Sequence, residues 1–212
     1  DDDAAQHSDT LLVTVANVAP VARDDAYSGF EDTPLTILPP GVLENDSDVP
    51  ADVLTPNFVT GPAFGTLELN ADGSLTFTPN ADFNGRDSFT YAVTDDDGGV
   101  SNTATVSLSI GAVNDAPTFT KGADQTVDED SEPQTVVGWA TGMSAGPADE
   151  ASQALTFVVV TDNDALFSAM PAISADGTLS YATALNAFGT ATMTVRLTDD
   201  NGTPGDTSDD FS

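Results

Sequence analysis

Cysteine is absent from the 212-residue chain. That excludes thiol nucleophiles, Cys-ligated zinc and iron–sulfur centres, and it leaves export open, since a secreted domain can do without disulfides. Positive charge is scarce: four Lys and Arg stand against 35 Asp and Glu, for a net charge of −31. Nucleic acid is therefore a poor partner, because phosphate binding depends on Lys and Arg. His7 is the single histidine and falls in a segment expected to be exposed. Neither G-x-S-x-G nor H-E-x-x-H occurs, and a glycosidase pair of carboxylates could be any two of the 35 acids, so enzyme readings are weak. No apolar run approaches the ~20 residues of a membrane helix, and no signal peptide is present, so membrane insertion is not expected. The chain opens abruptly on Asp1-Asp2-Asp3, as a piece of something longer would.

What remains is acidic and β-patterned. Hydrophobic residues make up 39% of the chain, too many for a disordered acidic tail, and Val, Phe, Leu and Ile recur with strand periodicity. Cations are expected to neutralise part of the charge. At residues 94–117, Asp95-Asp96-Asp97 sit side by side at a turn, an alternating run follows, and Asn114-Asp115-Ala116-Pro117 reads as a linker. Three adjacent carboxylates repel, and a hard dication such as Ca²⁺, which takes six to eight oxygen ligands in flexible geometry, reverses that sign.

The same order of elements recurs. Asp1-Asp2-Asp3, the alternating Leu11, Val13 and Val15, and Asn17-Val18-Ala19-Pro20 parallel Asp95-Asp96-Asp97, Val106, Leu108 and Ile110, and Asn114-Asp115-Ala116-Pro117. Residues 1–17 are thus expected to be the last strand of a preceding or partner repeat. Residues 18–113 read as one complete domain of about a hundred residues, a length that suits a β-sandwich. Strands fall at short spacing, with a hairpin turn at Asn70-Ala71-Asp72-Gly73 and the strongest strand at Ser88-Phe89-Thr90-Tyr91-Ala92-Val93. Residues 114–212 read as a second sandwich: positions 70–99 align without a gap to 174–203, but the chain stops at Phe211-Ser212, where a last strand should begin. Either the piece was cut from an array in mid-repeat, or the N-terminal strand of one chain completes the open sheet of another.

Glu31-Asp32-Thr33-Pro34-Leu35, Leu43-Glu44-Asn45-Asp46-Ser47-Asp48, Asp87-Ser88-Phe89-Thr90-Tyr91 and the two motifs Asn70-Ala71-Asp72-Gly73 and Asn114-Asp115-Ala116-Pro117 together resemble the bacterial cadherin-like, Ig-like tandem-95 repeats of very large secreted or surface proteins, including RTX-type adhesins. The second domain departs from the pattern, with Thr183-Ala184-Leu185 where the first has Thr78-Pro79-Asn80. The resemblance implies an all-β protein of tandem Ig-like or cadherin-like sandwiches in an elongated array, extracellular, with Ca²⁺ at the junctions. Carried over by position, one junction gathers Glu31, Asp95, Asp97, Asn114 and Asp115 with Asp149 or Glu150. The preceding one uses Asp1, Asp3, Asn17, Asp46 and Asp48. A third begins with Glu129, Asp199 and Asp200.

The implied function is a calcium-stiffened, non-enzymatic adhesion or structural module whose partners are neighbouring repeats or identical subunits, and cell-surface glycans or proteins at its tip. Two alternatives stand beside it: a filament subunit polymerised by strand donation, and a carbohydrate-binding accessory module of a secreted enzyme. Bland roles are assigned as well. Asp72, Asp82, Asp124 and Asp176 are read as turn residues with no ligand, which Asp-Gly turns need in any case. Trp139, the one Trp, is read as a core or inter-strand residue.

Overall fold

The computed structural model describes residues 9–49 and 52–200. They are all-β apart from two single-turn 3-10 segments, and they form two compact units that divide between Val113 and Asn114.

In the first unit seven strands make two sheets. β1 (Asp25–Phe30), β7 (Ala104–Gly111), β6 (Gly85–Thr94) and β3 (Thr55–Thr60) lie in that spatial order, and β2 (Leu35–Ile37), β5 (Leu75–Pro79) and β4 (Gly65–Leu69) form the second sheet. β1 pairs parallel to β7, whereas β6 pairs antiparallel to both β7 and β3. Alternation decides which face is covered. Phe89, Tyr91 and Val93 of β6 and Val106, Leu108 and Ile110 of β7 point inward, where they meet Leu75 and Phe77 of the second sheet. Their intervening neighbours, Ser107 and Ser109 among them, face outward, so a period of two buries one face of each sheet.

The β4–β5 hairpin turns at Asn70–Ser74 as the Asp-Gly signal predicts. Gly73 has φ +83°. Its carbonyl accepts the Val42 amide at 3.0 Å, and a Cβ on Gly73 would run into the Pro40 carbonyl. The Asp72 carboxylate accepts both the amide and the hydroxyl of Ser74, and these bonds hold it below the usual carboxylate range. Asp72 therefore closes its own turn.

In the second unit β8 (Thr118–Thr120) pairs with β10 (Thr141–Ser144), β11 (Thr156–Thr161) with β14 (Met193–Thr198), and β13 (Leu179–Thr183) lies between β12 (Phe167–Ile173) and β9 (Gln134–Val136). Every pairing is antiparallel. The turn chemistry repeats: Gly177 has φ +79°, its carbonyl takes the Ala140 amide at 2.9 Å, and Asp176 accepts from Ser174 and Thr178. Phe89, Tyr91 and Val93 of β6 have their counterparts in Met193, Val195 and Leu197 of β14. The first three are fully buried, but Met193 and Val195 are only half-buried. β6 is paired on both sides, whereas β14 is paired only to β11 among the described residues. Trp139 belongs to the core of this unit, with its indole N–H donated to the Ala123 carbonyl at 2.9 Å.

Candidate metal centres

Strand direction sorts the acids by end. β1 and β7 run parallel and β6 runs against them, so the start of β1 and the end of β6 come together, while the end of β1 lies at the far end of the sheet. Asp95 follows β6, and Glu31 follows β1. These two stand at opposite ends of the first unit and share no site, which overturns the grouping of Glu31 with Asp95 and Asp97 expected from repeat position.

At the β6 end, Asp95 meets Asp48 and Asp52 from the connection that leads into β3. One carboxylate oxygen from each of the three lies within 4.8 Å of the others. Asp95 is buried at 7% exposure and well supplied with donors: its Oδ1 accepts the amides of Asp97 at 3.0 Å and Gly99 at 2.7 Å, and its Oδ2 accepts the Asn17 side-chain amide at 2.8 Å. Burial alone would push this carboxyl up, but the Asn17 bond and the backbone amides outweigh it and leave Asp95 below the usual range. Asp52 has no such relief. Burial raises it, and Asp48, Asp96, Asp97 and Asp95 raise it further. Asp48 Oδ2 and Asp52 Oδ2 are buried oxygens with no hydrogen-bond donor. Buried polar atoms in proteins nearly always have a partner, and here the surrounding groups are carboxylates, so the donor set fits a hard cation. Asp96 is exposed and accepts the Val53 amide at 3.0 Å, while Asp97 is exposed as well.

Asp46 is turned elsewhere. Both of its oxygens lie within 3.2 Å of Tyr91 Oη, and its Oδ1 accepts the Arg23 amide at 2.7 Å. Asp25 Oδ2 is 3.1 Å from the same phenol, whose oxygen is 2.7 Å from the Val42 carbonyl. Asn45 donates to Asp25 Oδ1 at 3.0 Å. Burial pushes the Asp25 carboxyl up to about 6; the Tyr91 hydrogen bond pulls the other way, and Asp46, Asp24 and Glu44 add to the rise.

Glu31 is 1% exposed and serves as a clasp at the other end. Its Oε1 accepts the Val113 amide at 2.8 Å, and its Oε2 the Asn84 side-chain amide at 3.2 Å. Asp82, in the left-handed region at φ +57°, donates its amide to Asp32 at 3.4 Å.

The second unit gathers acids around its own first residues. Glu150, 5% exposed, accepts the Asp115 amide on Oε1 at 2.8 Å, while its Oε2 is buried without a donor. Burial raises this carboxyl; the Asp115 amide opposes, and the charges of Asp115, Asp149 and Asp199 raise it again. Gln153 donates to Asn114 Oδ1 at 2.9 Å and leaves its own buried Oε1 without a donor. Asp200 is exposed and accepts the Ala154 amide at 2.9 Å, as Asp96 accepts that of Val53.

Thus Asn17, Asp48 and Asp95 come together in one unit; in the other Asp115 is bonded to Glu150 and Asn114 to Gln153, and the charge of Asp199 reaches Glu150. Glu129 does not join Asp199 and Asp200. Its neighbour Asp130 accepts the Asn186 amide at 2.7 Å from the connection that precedes β14, whereas Asp199 follows β14. Asp1 and Asp3 lie outside the described residues. Asp52 and Gln153 are the ligand-type residues the motif comparison passes over. Asp52 sits just ahead of a strand within an acidic run, which is the one sequence signal that could have marked it. Lys121 forms an exposed ion pair with Asp124 at 3.0 Å, and no helix among the described residues is long and apolar enough to cross a membrane.

Two facing sheets with acids collected at the loop ends define a cadherin-like or Ig-like β-sandwich. Residues 17–112 match the family model of the bacterial cadherin-like domain. No curated protein matches the sequence. Among solved structures, two crystal forms of human protocadherin-24 EC1-2 are similar in fold. One has a TM-score of 0.56 at 15% identity, covering 86% of this chain and 88% of that one; the other has 0.54 at 16%, covering 93% and 92%. Drosophila N-cadherin EC1-4 has a TM-score of 0.49 at 13% identity, and the match covers 86% of this chain and 45% of that one.

Proposed function

We propose that the chain is a non-enzymatic, extracellular structural and adhesion module of a bacterial surface or secreted protein, stiffened by Ca²⁺. In the first unit the ion is held by Asp48, Asp52 and Asp95, with Asn17 fixing the orientation of Asp95. In the second it is held by Asp115, Glu150 and Asp199, with Gln153 and Asn114 supplying neutral oxygens. Both sites lie where the backbone enters a unit, so cation binding there ties the entering segment to the sandwich and removes the repulsion that would otherwise loosen it. The orphaned oxygens of Asp48 and Asp52 carry this assignment. The likeness of residues 17–112 to bacterial cadherin-like domains supports it, as do the oxygen-only donor sets and the scarcity of Lys and Arg.

Affinity is expected in the extracellular range, with Kd of order 10⁻⁴ to 10⁻³ M per site. Calorimetric titration of chelator-treated protein with CaCl₂, repeated on Asp52→Asn, tests it. Saturable binding that weakens in the variant supports the assignment. Absence of binding at millimolar calcium sinks it.

A further inference from the structure

Most described glycines outside the left-handed region lie where a Cβ would meet an apolar side chain or a backbone carbonyl: Leu35 beside Gly29, Phe58 beside Gly61, Phe30 beside Gly111, the Trp139 carbonyl beside Gly122. Two differ. A Cβ on Gly99 would run into Asp95 Oδ2, and would lie 2.8 Å from the Asn17 side-chain nitrogen and 3.1 Å from Ala19 Cα. A Cβ on Gly146 would run into Glu150 Oε2, and would lie 3.2 Å from Asp115 Cβ. Asp95 and Glu150 are the buried carboxylates of the two candidate centres, at 7% and 5% exposure. Asn17, Ala19 and Asp115 belong to the segments by which the chain enters each unit.

The backbone requires neither glycine. Neither takes positive φ, so alanine fits the torsions of both. Nor does the repeat supply them: Gly99 corresponds in sequence to Thr203. Gly99 stands four residues after its carboxylate and Gly146 four before its own, so the two units reach the same arrangement by different routes. What they share is a carboxylate oxygen lying where a Cβ would be. With no side chain at 99, Asp95 turns Oδ2 to the Asn17 amide while Oδ1 takes the amides of Asp97 and Gly99. With none at 146, Glu150 accepts the Asp115 amide on Oε1. The atoms a methyl group would strike first are the ends of flexible side chains, which can swing away. Its cost therefore falls on the orientation of the carboxylate rather than on the sheets.

We infer that Gly99 and Gly146 are positioning residues of the two cation sites, each seating one buried carboxylate so that it faces the ion and grips the entering segment at once. The inference rests on the reading of these carboxylates as Ca²⁺ ligands and adds how the site is regulated: the ion's hold on the chain entry passes through a point where only a hydrogen fits.

The test takes the full chain as Gly99→Ala, Gly146→Ala and Gly98→Ala, titrated with CaCl₂ by calorimetry and melted in chelator. Groups that orient a metal ligand typically carry about 10- to 100-fold in affinity, so Gly99→Ala should weaken the first-unit site by that much and Gly146→Ala the second-unit site. Gly98 is the control: it has φ +90° and nothing within 4 Å of its Cβ position, so Gly98→Ala should lower the melting temperature and leave calcium affinity near the parent's. Gly99→Ala combined with Asn17→Ala should cost no more affinity than the larger single change, because both break the same bond. Parent affinity in Gly99→Ala, effects that add to those of Asn17→Ala, or an equal loss in Gly98→Ala would overturn the assignment of Gly99. In chelator, exchange of the Asp115 amide should quicken in Gly146→Ala, and unchanged exchange would overturn the assignment of Gly146. A parent chain that binds no calcium overturns the metal reading and the ion's part in this inference, while the Asp115 exchange still decides whether Gly146 seats Glu150.

Discussion

Asn17 donates its side-chain amide to Asp95 Oδ2 at 2.8 Å, across 78 positions of sequence. The first residues of the domain are thereby tied to the turn after its longest strand, at the edge of three converging carboxylates. Asn17→Ala should cost that orientation while leaving the sandwich intact. Since a hydrogen bond to a charged group contributes about 1.5–3 kcal/mol to stability, the melting temperature in chelator should fall, and calcium affinity at this site, read by titration, should weaken as Asp95 loses its fixed orientation.

Asp48 and Asp52 should behave oppositely with and without metal. Removing one charge relieves repulsion from its neighbours, so Asp52→Asn is expected to raise the melting temperature in chelator. The same change takes an oxyanion from the ion, so the calcium-induced rise in melting temperature should shrink. A variant destabilised in both conditions would mean that Asp52 has an ordinary structural role.

Glu150→Gln makes the parallel case in the second unit. A neutral amide lowers the burial penalty and the repulsion from Asp115, Asp149 and Asp199. The expected outcome is a second unit more stable in chelator and less responsive to calcium, measured by hydrogen exchange at β11 and β14.

The Asp25 carboxyl sets a pH dependence of its own. Its folded value of about 6 exceeds the ordinary 3.8, so the folded state holds this proton more tightly. Its contribution to stability is therefore present in full below about pH 4 and is lost as pH rises through about 6. In chelator, Asp25→Asn should flatten this slope while keeping an oxygen for the Tyr91 hydroxyl. Denaturant melts between pH 4 and pH 7 read it, and an unchanged slope would remove Asp25 as its source.

Gly73→Ala and Gly177→Ala should each destabilise one unit. Both positions have positive φ, and a Cβ would meet the carbonyl of Pro40 or Ala140. A loss of about 2 kcal/mol or more is expected, confined to the unit that carries the change and visible as one of two thermal transitions moving.

Much of the fold was legible because its causes are local. Alternation along Phe89, Tyr91 and Val93 names the strand face that turns inward, and an Asp-Gly pair closes its own hairpin through Gly at positive φ and Asp accepting from the residue two positions on. The acidic composition likewise argues against phosphate as a partner from charge alone. The partnership of the carboxylates was less legible. Asp46 and Asp48 are two positions apart, yet one faces Tyr91 and the other faces Asp52 and Asp95. Glu31 and Asp95 both flank strands, yet the parallel pairing of β1 with β7 sends them to opposite ends. By itself the sequence determined that this is an acidic all-β protein with repeated turns and few Lys or Arg. Only the tertiary structure decided which oxygens meet, because strand direction and register are set by packing between distant segments, and reversing either would carry every loop to the other end of its sheet.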